Sequence, residues 1–103
     1  MQIHTGVHLS VVIPAYNEES RLPKTLGQSV EYLESQPYGS EIIVVNDGST
    51  DGTERVVRQY SSNSVAVKLL THADGGNHGK GASVKLGMRS LDLCLGARKS
   101  VSL

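Results

Sequence analysis

An α/β fold built on a parallel sheet is what this chain predicts, and three observations predict it. Aliphatic, β-branched runs recur three times, each breaks abruptly into a polar loop, and a helical pattern separates each run from the next. Strands that alternate with helices of this length imply βαβ units with right-handed crossovers. The order is β-α-β-α-β-α, in three layers.

The first strand, Leu9 to Ile13, runs into Pro14-Ala15-Tyr16-Asn17-Glu18-Glu19. Ligands of open α/β sheets bind in the crevice at the carboxyl ends of the strands, so a polar, aromatic cluster there reads as a binding edge. Leu22, Leu26, Val30 and Leu33 fall on one face of a helix. Pro23 fits that helix only in its first turn, which puts the start near Ser20 to Leu22. The second strand, Glu41 to Val45, breaks into Asn46-Asp47-Gly48-Ser49-Thr50-Asp51-Gly52-Thr53, whose capping residues begin a shorter helix marked by Val56, Val57 and Tyr60. The third run, Val65 to Thr71, opens into His72-Ala73-Asp74-Gly75-Gly76-Asn77-His78-Gly79-Lys80-Gly81. In a doubly wound sheet its Val65 to Leu70 stretch should be buried on both faces. Val84, Met88, Leu91 and Leu95 line a third helix. Beyond Met88 two readings stand: a helix end capped by Gly96, or the start of a further strand. Three parallel strands alone would leave two open edges.

At 103 residues the chain makes one domain at most. Its core must be aliphatic, since it has four Tyr and neither Phe nor Trp. Ten basic and ten acidic side chains balance, which leaves no nucleic-acid footprint. No apolar run approaches the ~20 residues of a membrane span, and Met1 to His8 lacks the features of a signal peptide. The single cysteine, Cys94, excludes an internal disulfide and fits a reducing compartment as an inert core thiol. A cytoplasmic location follows.

Asp47 sits where the second strand ends, and Gly48 and Gly52, which follow it, let the backbone bend tightly around it. Its carboxylate can accept a hydrogen bond from a ring N–H of a base; the alternative is that it caps the next helix, a role that suits Asp51 better. The Asp47 to Gly52 segment half-matches a calcium loop, but Arg58 stands where the bidentate Glu is needed. The Gly75 to Gly81 loop resembles a phosphate cradle in which Lys80 offers a point charge. It is not a Walker A loop, because Asp74 and Gly81 occupy that motif's Gly and Ser/Thr places, and no glycine-rich dinucleotide fingerprint follows the first strand. His72, Asp74 and His78 are spaced loosely for a metal and read as a solvated loop. Tyr16 could stack on a flat base or pack on its own loop. Glu18 could reach ribose hydroxyls or favour the helix N-terminus through the dipole.

Three segments in order resemble the family 2 glycosyltransferases: Val11-Val12-Ile13-Pro14-Ala15-Tyr16-Asn17-Glu18, Ile43 to Thr53, and Asn77 to Met88. Arg21-Leu22-Pro23 and the Gly-Lys-Gly loop are similar to the dolichyl-phosphate (polyprenyl-phosphate) sugar transferases, nearest to their β-glucosyltransferase branch. The resemblance implies the N-terminal half of a GT-A fold, a Rossmann-like unit over 9–88 followed by an atypical tail at 89–103. It implies a nucleotide-sugar donor bound by Pro14, Ala15, Tyr16, Glu18, Asp47 and Lys80. Pro14 and Tyr16 would lie against uracil, Asp47 on the base, Glu18 near the ribose, and Lys80 near the base or diphosphate. Asn46 stands where many members carry a first Asp.

The family also holds Mg²⁺ or Mn²⁺ on an Asp-x-Asp, which these residues do not contain. The metal offsets charge on the leaving group. The expectation is therefore a truncated glycosyltransferase, inactive alone, with no catalytic residue of its own and no tightly bound metal. Its donor would be UDP-glucose and the acceptor of the full-length enzyme a dolichyl or polyprenyl phosphate, which suggests a peripheral place on the cytoplasmic face of a membrane. The rival reading is a non-catalytic nucleotide-binding or interaction module. Open sheet edges and the third helix's apolar stripe lead to the further expectation of a homo-oligomer.

Overall fold

The computed structural model describes residues 9–60, 65–91 and 99–102. Strands β1 (Leu9–Ala15), β2 (Ser40–Asn46), β3 (Ala66–Thr71) and β4 (Lys99–Ser102) alternate with helices α1 (Leu22–Glu34), α2 (Thr53–Gln59) and α3 (Lys80–Leu91). All strand pairs are parallel and the order across the sheet is β3-β2-β1-β4.

Strand β2 is buried along all seven residues, as expected of a central parallel strand covered on both faces. Alternate side chains feed two cores. Val11, Ile13, Ile42 and Val44 face α1 and α2, where Leu22, Leu26, Val30, Leu33 and Val57 complete the cluster. Val12, Ile43 and Val45 face the other way, against Leu86 and Met88 of α3. The three layers and the α1 face are those the sequence pattern predicts. Pro23 sits in the first turn of α1, where its missing N–H costs nothing.

Two expectations are corrected and one open choice is decided. First, β3 is not buried on both faces but is an edge strand whose residues are half-buried or exposed, none of them fully buried. Val67 and Leu69 pack on the α1–α2 side while Lys68 is exposed on the other and pairs with the buried Glu41 at 2.9 Å. A charge on an edge strand discourages pairing with another chain. Second, a fourth strand follows the third helix: β4 lies beside β1 with Leu9↔Lys99 through Val12↔Ser102 in register, which extends the predicted order and covers one of the two sheet edges. Pro14, with no N–H to donate, lies beyond the stretch of β1 that β4 pairs. Third, α3 does not rest on Val84, which is half-buried; its buried positions are Ser83 and Gly87. A Cβ at Gly87 would collide with Val12 and crowd Val45, so the missing side chain is what lets this helix lie close to the sheet. Leu95, Gly96 and Cys94 lie outside the described residues, as do the side-chain positions of Leu91.

Because α1 and α2 cover one face and α3 the other, the winding reverses at β1. The crevice that such a reversal opens lies at the carboxyl end of that strand.

Candidate functional site

A cavity of about 360 Å³ opens at that point. Pro14, Ala15, Tyr16, Glu18, Asp47 and Lys80, the six positions singled out from the sequence, all line it, joined by Asn77 and Gly79. Three separate loops therefore meet around one space. A second hollow of about 240 Å³ adjoins it on the α1 side, bounded by Pro14, Glu18 and Arg21 among others.

Asp47 follows the last residue of β2, and its N–H donates to the Ala15 carbonyl at 2.8 Å, continuing the sheet by one bond. The residue is buried, yet it reaches the cavity. Its Oδ1 accepts the backbone N–H of His78 at 2.7 Å and lies 3.3 Å from His72 Nε2. Its Oδ2 has no partner among the described residues. Asp47 does not cap α2. Asp51 serves that end of the helix from two positions before its first residue, Oδ1 accepting both the N–H (2.9 Å) and the hydroxyl of Thr53. The Thr53 hydroxyl, above all, holds the Asp51 carboxyl below its ordinary range.

Gly48 makes the junction possible. Its φ is +71°, and an added Cβ would sit 2.5 to 2.6 Å from the backbone of Asn77 and Gly76. The glycine-rich loop thus lies directly on the backbone after β2, which no larger residue permits.

Glu18 reaches the cavity with both oxygens already engaged: Arg21 Nε and Nη2 donate to them at 2.7 and 2.6 Å, a bidentate pair. Tyr16 is 48% exposed, its ring available at the rim. Lys80 opens α3, its side chain exposed. Between Tyr16 and Glu18, Asn17 adopts the left-handed region (φ 51°), and its Oδ1 accepts the Thr50 N–H at 2.8 Å.

His72, Asp74 and His78 come together, but with one another and the protein. His78 Nε2 lies 2.8 Å from Asp74 Oδ1, the two imidazole rings are 4.3 Å apart, and His72 Nε2 is 3.0 Å from Ser83 Oγ. The hydrogen bond from His78 holds the Asp74 carboxyl below its ordinary range. Among the described residues no group of three or more His, Cys, Asp or Glu could hold a metal ion, so the side chains present do not fit one. Asp47, His72 and Ser83 are not a hydrolytic triad either: one imidazole nitrogen faces both partners, whereas relay needs a different nitrogen for each.

Residues 10–92 match glycosyl transferase family 2. The chain belongs to that family. It is 43% identical to a dolichyl-phosphate beta-glucosyltransferase of Trichomonas vaginalis over 102 residues, covering 94% of this chain and 29% of that protein. Proteins of the same name from Drosophila melanogaster and Homo sapiens are 43% and 40% identical over 90 and 91 residues, covering 82% and 80% of this chain. The chain spans 28% and 27% of their lengths, less than a third of each relative.

Family membership accounts for the three segments that carry the cavity. What sequence reasoning missed are contacts among them. Asn77 and Gly79 lay inside a recognised segment and could have been included. Nothing local pointed to His72 as a neighbour of Asp47.

Proposed function

We propose that this chain binds the uridine diphosphate part of a nucleotide sugar, UDP-glucose, in the cavity at the end of β1. The observation that carries the proposal is the convergence of three family segments on one space. The Tyr16 ring would stack on the base, and Asp47 Oδ2 would accept its ring N–H. Glu18 would meet the ribose by exchanging one of its bonds to Arg21. Lys80 and the N-terminus of α3 would face the diphosphate, where backbone N–H groups and the helix dipole favour negative charge.

The relatives' names support glucosyl transfer to dolichyl phosphate as the reaction of the whole protein, which we place at the cytoplasmic face of a membrane as part of the proposal. To these 103 residues we assign donor binding without transfer, because they contain no Asp-x-Asp. Mg²⁺ or Mn²⁺ belongs in this proposal to that longer protein. Incubation of the chain with UDP-glucose and dolichyl phosphate should yield no lipid-linked glucose, and turnover would overturn the division.

Titration with UDP, followed through amide resonances, should move 14–19, 46–49 and 76–81 together. Asp47→Ala should weaken binding by about 1–3 kcal/mol, the range for a lost buried hydrogen-bond partner. Shifts confined elsewhere, or an affinity indifferent to Asp47, would remove the cavity from consideration.

A further inference from the structure

We propose that His72 is the positioning residue for the base-facing carboxylate: together with the His78 backbone N–H it occupies Oδ1 of Asp47 and leaves Oδ2 as the one oxygen presented to the ligand. The proposal rests on the nucleotide-binding reading and adds to it the origin of base selectivity.

The geometry assigns the proton. His72 Nε2 lies 3.3 Å from a carboxylate oxygen and 3.0 Å from Ser83 Oγ. A bare ring nitrogen would aim its lone pair at the carboxylate's negative charge, which repels it, so Nε2 carries hydrogen, with Ser83 Oγ as its hydrogen-bond acceptor and the Asp47 carboxylate within ion-pair distance. The imidazole has little freedom to turn away. Its side chain is only 11% exposed, Ser83 on α3 is fully buried beside it, and the His78 ring, tied to Asp74, lies against it at 4.3 Å.

An Asp side chain turns readily about its last torsion, which is broad and two-fold. A single N–H, that of His78, would hold Oδ1 without fixing the carboxylate plane. A second donor from a different element, at the end of β3, fixes it. The ligand then meets one ionised oxygen with acceptor capacity only. Uracil offers a ring N–H at that edge, whereas cytosine offers a lone pair. A site arranged to accept an N–H discriminates against the analogue that lacks it. His72 therefore contributes to choosing uridine without touching it.

The test compares the unsubstituted chain with His72→Leu and His72→Gln, titrated with UDP and CDP by calorimetry. The Gln amide places an N–H donor near the position of Nε2; Leu does not. His72→Leu should bind UDP about tenfold more weakly, the loss of one polar contact to a charged group, and its preference for UDP over CDP should fall. His72→Gln should recover most of both. In the ligand-free protein, hydrogen exchange at the His78 amide should quicken in His72→Leu and stay slow in His72→Gln. Equal behaviour of the two variants in a folded protein would reduce His72 to packing and overturn the proposal. Failure of the unsubstituted chain to bind UDP would overturn the nucleotide reading, while the His78 exchange comparison would still decide whether His72 fixes Asp47.

Discussion

The two walls of the cavity are held in different ways. On one wall the β1–α1 and β2–α2 loops clasp each other repeatedly. The N–H groups of Asn17, Glu18 and Glu19 donate to Ser49 Oγ (2.9 Å), Thr53 Oγ1 (2.9 Å) and Asp51 Oδ2 (3.2 Å), and those of Thr50 and Gly52 return the favour to Asn17 Oδ1 and Glu19 Oε1. The other wall, the loop from His72 to Gly79, bonds largely within itself: Gly75 N–H to the His72 carbonyl, Gly76 N–H to Asp74, Gly79 N–H to Asn77. Its tie to the first wall runs through Asp47. One wall is therefore preorganised by many weak bonds, and the other hangs on the carboxylate we assign to the ligand. Binding and loop placement share a group, so a ligand that engages Asp47 also acts on the loop.

The largest effect should come from the joint between the walls. Gly48→Ala forces a Cβ onto the backbone of Gly76 and Asn77 at a positive φ. It should destabilise the chain by about 1–3 kcal/mol, the scale of such backbone strain, read as a lower urea midpoint. Amides of 74–79 should shift while those of 49–53 hold their places. Movement of both loops would mean the walls are one unit, and the comparison would fail.

A smaller effect is expected within the clasp. Asn17→Gly keeps the left-handed backbone and loses the bond accepted from Thr50; Asn17→Ala loses the bond and adds the steric cost of φ 51°. Ala should cost about 1–2 kcal/mol more than Gly. Equal melting temperatures would assign the whole role to the side-chain bond and none to the backbone conformation.

Acid should separate the walls most gently. Asp51 serves the clasp and Asp74 the opposite loop, and both carboxyls titrate below the ordinary value of 3.8 in the folded chain. A depressed folded value means that each contribution is fully present above pH 3.8 and fades as pH falls through the folded value. Both carboxylates are exposed, so the change should be slight. Amide exchange at Thr53 should quicken in acid and lose that dependence in Asp51→Asn, whereas exchange at Gly76 should follow Asp74→Asn. A single substitution that flattened both profiles would couple the walls.

The α1 face was legible from the sequence because one helix carries its own pattern: the spacing of Leu22, Leu26, Val30 and Leu33 puts them on one side, and all four are buried. The cavity residues were legible for a related reason. Each lies at the end of an apolar run or in the connection that follows it to the next helix, and in a parallel sheet all such ends share one rim. The α3 face was not. Val84 belongs to the more conspicuous stripe, but the helix buries Ser83 and Gly87 and lies close to the sheet at Gly87, and smallness gives no periodic signal.

By itself the sequence determined the alternation of strands and helices, the aliphatic core and the residues gathered at the strand ends, since each depends on a few neighbouring positions. Only the tertiary structure decided strand order. That order made β3 an exposed edge, set Lys99–Ser102 beside β1, and brought His72 and His78 to Asp47, 25 and 31 positions earlier. The physical reason is that backbone hydrogen bonding and burial act across the sheet without regard to distance along the chain. A residue's local pattern records which face it takes, and the neighbouring strands decide what it meets there.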